Sequence, residues 1–250
     1  MSNTGHTAID GYFENAQDLL SRTLATQRDA MEQAAARIAA CVREGHMVYT
    51  FGTGHGHLLA LELFYRAGGM AKLCPIMDER LMLHVSAAGS TQWERDEALP
   101  QDLLRRYPIS AGDVLIDISN SGRNTAPVAL AMAARERGAY VIALTSLRHS
   151  RGVSPRNMAG KRLFEVADLV LDNGGVPGDA SMPMADGAMV GPTSTVAGAA
   201  ILQAIVSRVK EISLAEGWEA EFYRSSNIDG GDEYNEALID AYAPLIPGLK

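Results

Sequence analysis

The densest set of groups able to hold an anion lies in ISNSGRNTAPV, Ile118–Val128, where two serines and an asparagine leave an apolar run and precede a helix start. A helix start offers unpaired N–H groups and positive dipole. Gly122 lets the backbone approach a ligand closely, and Ser119, Asn120 and Ser121 can add side-chain hydrogen bonds. Asn124 or Thr125 serves as the cap ahead of Pro127. Together these groups suit a phosphate monoester, although a plain strand-to-helix turn also uses small polar residues.

Other loops offer groups of the same kind. Gly52, Thr53, Gly54 and His55 follow the apolar run MVYTF. Such a turn also suits a dinucleotide, with Asp78 where an acid would meet a ribose, but the third glycine of that fingerprint is missing. His55 and His57 would need a third ligand, such as His84 or Asp232, to hold a metal, and no metal is expected. Ser146 and His149 follow another apolar run, at a rim suited to sugar hydroxyls. Thr193, Ser194 and Thr195 open a helix, as caps or as ligand contacts.

Interconverting an aldose and a ketose requires a base beside the carbonyl and an acid that moves protons between neighbouring oxygens. Glutamate and histidine suit this work because their pKa values can be tuned towards neutrality. Glu62 lies on the predicted helix after the first glycine loop, about five residues beyond His57, where its face can turn to a ligand. In the closing NIDGGDEYNE, the glycine pair can form a tight turn that presents Asp232 or Glu233 to a pocket. The candidate acids and bases are therefore Glu62, His57 and Glu233.

The spacing of apolar residues predicts what must position these groups. Helical periodicity runs from Asp10 to Arg43, then a short buried strand at Met47–Phe51 and a helix over Leu58–Ala67. LCPIM, DVLIDIS (Asp113–Ser119), YVIALTS (Tyr140–Ser146) and DLVLD (Asp168–Asp172) read as further strands. Helices are predicted at Pro127–Arg137 and Thr193–Leu214. The alternation implies βαβ units and a mainly parallel sheet with ligands beyond its carboxyl ends. Residues 174–191 lack periodicity, as in a lid or a subunit contact. Residues 1–45 read as a helical arm and 46–250 as one integrated domain.

Composition narrows the partners. At 250 residues and 47% hydrophobic the chain suits one large domain. It has no apolar run of membrane-spanning length and no signal-like N-terminus, so a cytoplasmic protein is expected. A net charge of -8 disfavours nucleic acid. Cys41 and Cys74 suit buried free thiols.

The strand-S-x-S-G-x-x-helix arrangement resembles the phosphosugar-binding loop of the sugar isomerase (SIS) domain, found in glucosamine-6-phosphate synthase, phosphoheptose isomerase and muramic acid 6-phosphate etherase. FGTGHGHLLALELFYRAGG, ISNSGR, LTSLRHS, GPTSTVAGA and NIDGGDEYNE, in that order, resemble a UPF0309-like bacterial SIS subfamily over nearly the whole chain. The resemblance implies a three-layer, flavodoxin-like α/β sandwich with a mainly parallel five-stranded sheet and a long N-terminal helix. It implies phosphate contacts from Ser119, Asn120, Ser121 and Asn124, with Gly52, Thr53 and Gly54, and a homodimer or homotetramer. Aldose–ketose isomerisation of a phosphorylated sugar without a cofactor is the expected activity. Lyase or etherase chemistry on an amino-sugar phosphate, or a non-catalytic sensor, are the alternatives. One departure stands out: related sequences usually carry serine where this chain has Gly56.

Overall fold

A computed structural model describes residues 6–250; the first five residues of the expected arm lie outside them. Five strands form the sheet: β1 (Val48–Gly52), β2 (Leu73–Pro75), β3 (Val114–Ile118), β4 (Tyr140–Thr145) and β5 (Leu169–Asp172). They are all parallel, in the order β2-β1-β3-β4-β5. Every residue of β1 and β3 is buried, which explains why both read as unbroken apolar runs rather than alternating ones.

The two-residue period of the strands divides the core between the faces. Val48, Val114, Ile116 and Ile118 point to one side, where they meet α1 (Ala8–Arg43), α2 (Gly56–Glu62) and α7 (Ser194–Ala215) through Ile38, Leu59 and Ile201. Tyr49, Phe51 and Leu115 point to the other, where they meet α4 (Leu99–Arg106), α5 (Thr125–Glu136) and α8 (Gly231–Tyr242) through Leu103, Leu130 and Leu238. The result is the three-layer sandwich expected from the sequence. No helix among the described residues is long and apolar enough to cross a membrane.

Helix α1 is continuous and spans about 54 Å at the usual rise per residue. Its last third buries Ala34, Ala35 and Ile38 within the core of one face, while Ile9, Phe13 and Leu24 nearer its start remain exposed. The stretch read as irregular contains a hairpin, β6 (Ala180–Pro183) and β7 (Met189–Pro192), antiparallel and docked on α1. Asn15 donates to the Ser181 hydroxyl at 2.6 Å, and the Tyr12 hydroxyl donates to the Pro192 carbonyl at 3.0 Å. Two short helices, α3 (Ala87–Trp93) and α6 (Leu147–Arg151), complete the set. Helix α2 stops at Glu62 instead of Ala67, because the chain tightens there, with Phe64 N–H donating to Leu61 at 2.9 Å, and then turns through Tyr65 at φ 39°.

The turn between β1 and α2 is packed backbone on backbone. A Cβ on Gly52 would lie 2.3 Å from the Gly56 carbonyl oxygen, and one on Gly56 would lie 2.8 Å from that of Ile118. Glycine at position 56 therefore does more than omit a hydroxyl; it lets α2 start against the end of β3. Gly56→Ser is expected to destabilise the protein by about 1–3 kcal/mol, the usual cost of overpacking, in urea denaturation. Wild-type stability in that variant would show that the junction has room to spare.

Candidate functional site

Helix α2 leaves β1 towards one face of the sheet, and α5 leaves the neighbouring β3 towards the other. Between them, beyond the strand ends, lies a cavity of about 260 Å³. Such a parting of connections is where open α/β sheets bind ligands.

The β3–α5 loop forms its floor. Ser119 is buried and its Oγ accepts from the Gly122 N–H at 3.2 Å, while Gly122 adopts φ 56°, a left-handed conformation that glycine takes without strain. The Asn120 carbonyl accepts from Ser146 N–H at 3.2 Å and from the Thr145 hydroxyl at 3.1 Å, and its Oδ1 accepts from Asn173 at 3.0 Å. These bonds hold the loop open and leave Asn120 Nδ2 and Ser121 Oγ at the cavity wall without partners among the described residues. Asn124, at the α5 N-cap, has a buried Oδ1 with no donor. Buried polar atoms are rarely left this way unless something else pairs with them.

Two long helices begin at the cavity, and their starts are held differently. At α7, Asp179 accepts from the N–H groups of Thr193 at 3.2 Å and Ser194 at 2.9 Å and from the Ser194 hydroxyl at 2.5 Å. A carboxylate thus already occupies that dipole. At α5 no carboxylate accepts from a backbone N–H; the Ala126 N–H goes to the Glu94 carbonyl at 2.9 Å, and the Thr125 hydroxyl donates to Glu97 at 3.0 Å.

Besides Asp179 and His55, Glu94 and His149 line the same space. Glu94 accepts from the Thr53 hydroxyl at 2.6 Å, and its backbone carbonyl accepts from the Ala126 N–H at 2.9 Å, so it bridges the two loops. His149 is set by Ser146, whose Oγ accepts its N–H at 3.1 Å; its Nδ1 is buried and unpartnered. Burial holds His149 below the ordinary histidine value, Asp179 opposes the shift and Arg123 adds to it. Below the floor, Asp117 on β3 is fully buried, and neither carboxyl oxygen has a partner. Burial first, then the charge of Glu94, pushes this carboxyl well above its usual range.

Of the residues singled out in the sequence, Thr53, His55, Ser119, Asn120, Ser121, Asn124, His149 and Ser194 line the cavity. Gly52, Gly54, Gly122, Ser146 and Thr193 shape the loops around it. Glu62, His57, Asp232 and Glu233 stand elsewhere. Glu62 pairs with Arg66 and accepts from Gln203 at 3.0 Å, and His57 is buried. Asp232 and Glu233 are exposed in the first turn of α8, where acids complement the helix dipole. The glycine pair serves that helix start: Gly230 has φ 76°, and a Cβ on Gly231 would lie 2.1 Å from the Ser225 carbonyl oxygen. Asp78, the acid of the dinucleotide alternative, is bound by Arg80 and Arg106 instead. Sequence reasoning missed Glu94, which sits in a stretch without clear periodicity, and Asp179, a non-glycine residue at φ 68°.

Comparison with known proteins agrees with this geometry. A family model described as SIS domain matches residues 11–146. A UPF0309 protein of Listeria innocua is 40% identical over 242 residues, covering 96% of this chain and 98% of its own. One from Geobacillus kaustophilus is 40% identical over 248 residues, covering 96% of each. Among solved structures, phosphoheptose isomerase from Neisseria gonorrhoeae superposes with a TM-score of 0.54 at 18% identity, over 80% of this chain and 97% of that one. The Vibrio vulnificus NanR protein complexed with ManNAc-6P gives 0.51 at 19%, over 99% and 72%. At such identities the structural likeness speaks for the fold alone.

The state of Asp117 has a consequence for stability. Its folded pKa is raised above the unfolded value near 3.8, so its contribution is fully present below about that pH and is lost as pH rises through the folded value. Asp117→Asn should therefore gain stability relative to wild type between pH 4 and pH 8, by about 1–3 kcal/mol at the upper end. Urea unfolding at several pH values tests this, and a difference that does not change with pH would contradict it.

Proposed function

Because the chain belongs to the SIS domain family, within its UPF0309 group, we propose that it binds a phosphorylated sugar in this cavity and interconverts its aldose and ketose forms. The observation that carries the reading is the start of α5, where, unlike α7, no carboxylate accepts from a backbone N–H. Hydroxyl and amide groups from Ser119 to Asn124 surround it, and no lysine lines the cavity. Phosphate placed there meets N–H groups and positive dipole, while Asp179 repels it from α7.

With phosphate at α5, the sugar lies between Glu94 and His149. Glu94 removes the proton from the carbon beside the carbonyl, held in place by the Thr53 hydroxyl. The resulting enediol needs a proton moved from one oxygen to its neighbour, and a neutral imidazole can both accept and donate it. Burial supplies that neutral form, since it depresses the His149 pKa. Return of the proton to the adjacent carbon completes the isomerisation with no change in oxidation state overall.

The exposed apolar groove between α1 and α7, lined by Leu20, Leu24, Met31 and Ala204, suits a second copy of the chain.

Ser121→Ala is expected to weaken binding of the preferred sugar phosphate about tenfold, the loss of one hydrogen bond to a charged group, with little change in melting temperature. Glu94→Gln should retain binding and lose turnover by about 10²–10⁴-fold. A screen in which sugar phosphates raise the melting temperature no more than their unphosphorylated counterparts would sink the reading. Binding without turnover across the panel would leave a sensor. Leu24→Glu should lower the mass seen by light scattering while far-UV circular dichroism stays unchanged.

A further inference from the structure

Among the described residues, none of α1 before Ala30 joins either core, yet this outer half is matched closely to the segment that runs from β5 to α7. Gln27 accepts from the Asp172 N–H at 3.0 Å. A Cβ on Gly174 would lie 2.9 Å from Leu19 Cδ1 and 3.5 Å from Thr23 Oγ1. Asn15 donates to Ser181 at 2.6 Å, and a Cβ on Gly11 would lie 3.4 Å from Met182 Cε. Positions four apart share one face of a helix, so a single stripe of α1 follows this segment along its length.

Tyr12 secures the far end. Its ring lies against Gly191, where a Cβ would come within 2.9 Å of it, and its hydroxyl donates to the Pro192 carbonyl at 3.0 Å. Among the described residues, the only hydrogen bonds from β6 or β7 to another element run to α1, through Tyr12 and Asn15. Both are made beside the cavity wall. Ser181 stands two residues after Asp179, and Pro192 immediately precedes Thr193, whose N–H donates to Asp179 at 3.2 Å. Helix α1 therefore holds the chain on either side of the bond that joins the base of the hairpin to α7.

Asp179 needs such support. It lines the cavity at φ 68°, and a non-glycine residue keeps a left-handed backbone only where its surroundings impose it. Its carboxylate accepts from two N–H groups and one hydroxyl. A carboxylate has about four acceptor positions, so one is left for a ligand.

We infer that Tyr12 and Asn15 are positioning residues for the cavity: by holding both strands of the β6–β7 hairpin on α1, they keep Asp179 where its free acceptor position takes a sugar hydroxyl. The inference rests on the phosphosugar reading and adds to it a contact for the sugar. Neither side chain lines the cavity, so both act through Asp179. The phosphate grip at α5 belongs to other loops and does not depend on them.

The test is calorimetric titration of the full chain with inorganic phosphate and with glucose, galactose and mannose 6-phosphates. In the double variant Tyr12→Phe, Asn15→Ala, the sugar phosphate that wild type binds best is expected to bind about five- to tenfold more weakly, while inorganic phosphate stays within about twofold. That retained affinity also shows that the variant is folded. Asp179→Gly, which keeps the left-handed backbone and removes the carboxylate, should cost the sugar phosphate at least as much. Adding the two α1 changes to it should cost less than about twofold more, a non-additivity that general loosening does not produce. Unchanged sugar-phosphate affinity in the double variant overturns the inference and leaves the phosphosugar reading standing. Parallel losses of phosphate and sugar phosphate overturn it as well, and so do losses that add to those of Asp179→Gly. A fall in oligomer mass in the double variant would assign Tyr12 and Asn15 to a contact between copies and refute the proposal. If wild type binds no sugar phosphate, both readings fail together.

Discussion

Adjacent parallel strands that send their helices to opposite faces leave a crevice that the sheet cannot fill. In this chain the parting lies between β1 and β3, and the backbone contact of Gly56 with Ile118 sets its width. The loops from both strands, the Glu94 segment reaching across them and the start of α7 all depend on that spacing. A sheet of the same strands with both helices on one face would have no such cavity.

The cavity also distributes charge in an ordered way. One helix start has Asp179 on its backbone N–H groups, and the other has no carboxylate on its own. Burial lowers the pKa of His149 and raises that of Asp117 beneath the floor. A doubly charged ester therefore finds one orientation favoured over its reverse, before any fit to the sugar ring is considered.

Much of the fold was legible because fully buried strands and amphipathic helices leave distinct periods in the chain. Val114–Ile118 and Tyr140–Thr145 were recognisable as apolar runs, and the β3–α5 loop stood out as a run of small polar residues between a strand and a helix start. Glu94 was not legible: it gains its place through Thr53 and Ala126, both remote in sequence, and its local surroundings give only an acidic cluster. Asp232 and Glu233 stand outside the cavity, in the first turn of α8. Their concentration near two glycines suggests a presented acid, yet a helix start uses the same composition for its own dipole. The hairpin β6–β7 was hidden because half-exposed strands, rich in methionine and proline, lack a clean two-residue period.

Helix α1 lies almost wholly against segments from the other end of the chain. Arg208 meets Glu32 at 2.8 Å across a separation of 176 residues, and the Tyr12 hydroxyl bond spans 180. During synthesis the first helix must therefore emerge and wait, its apolar stripe unmatched, until most of the polypeptide has been made. Closing so long a loop is slow, and the exposed stripe is a target for premature association in the meantime. In a protein with this order of elements, the contacts that cover the first helix are among the last that can form.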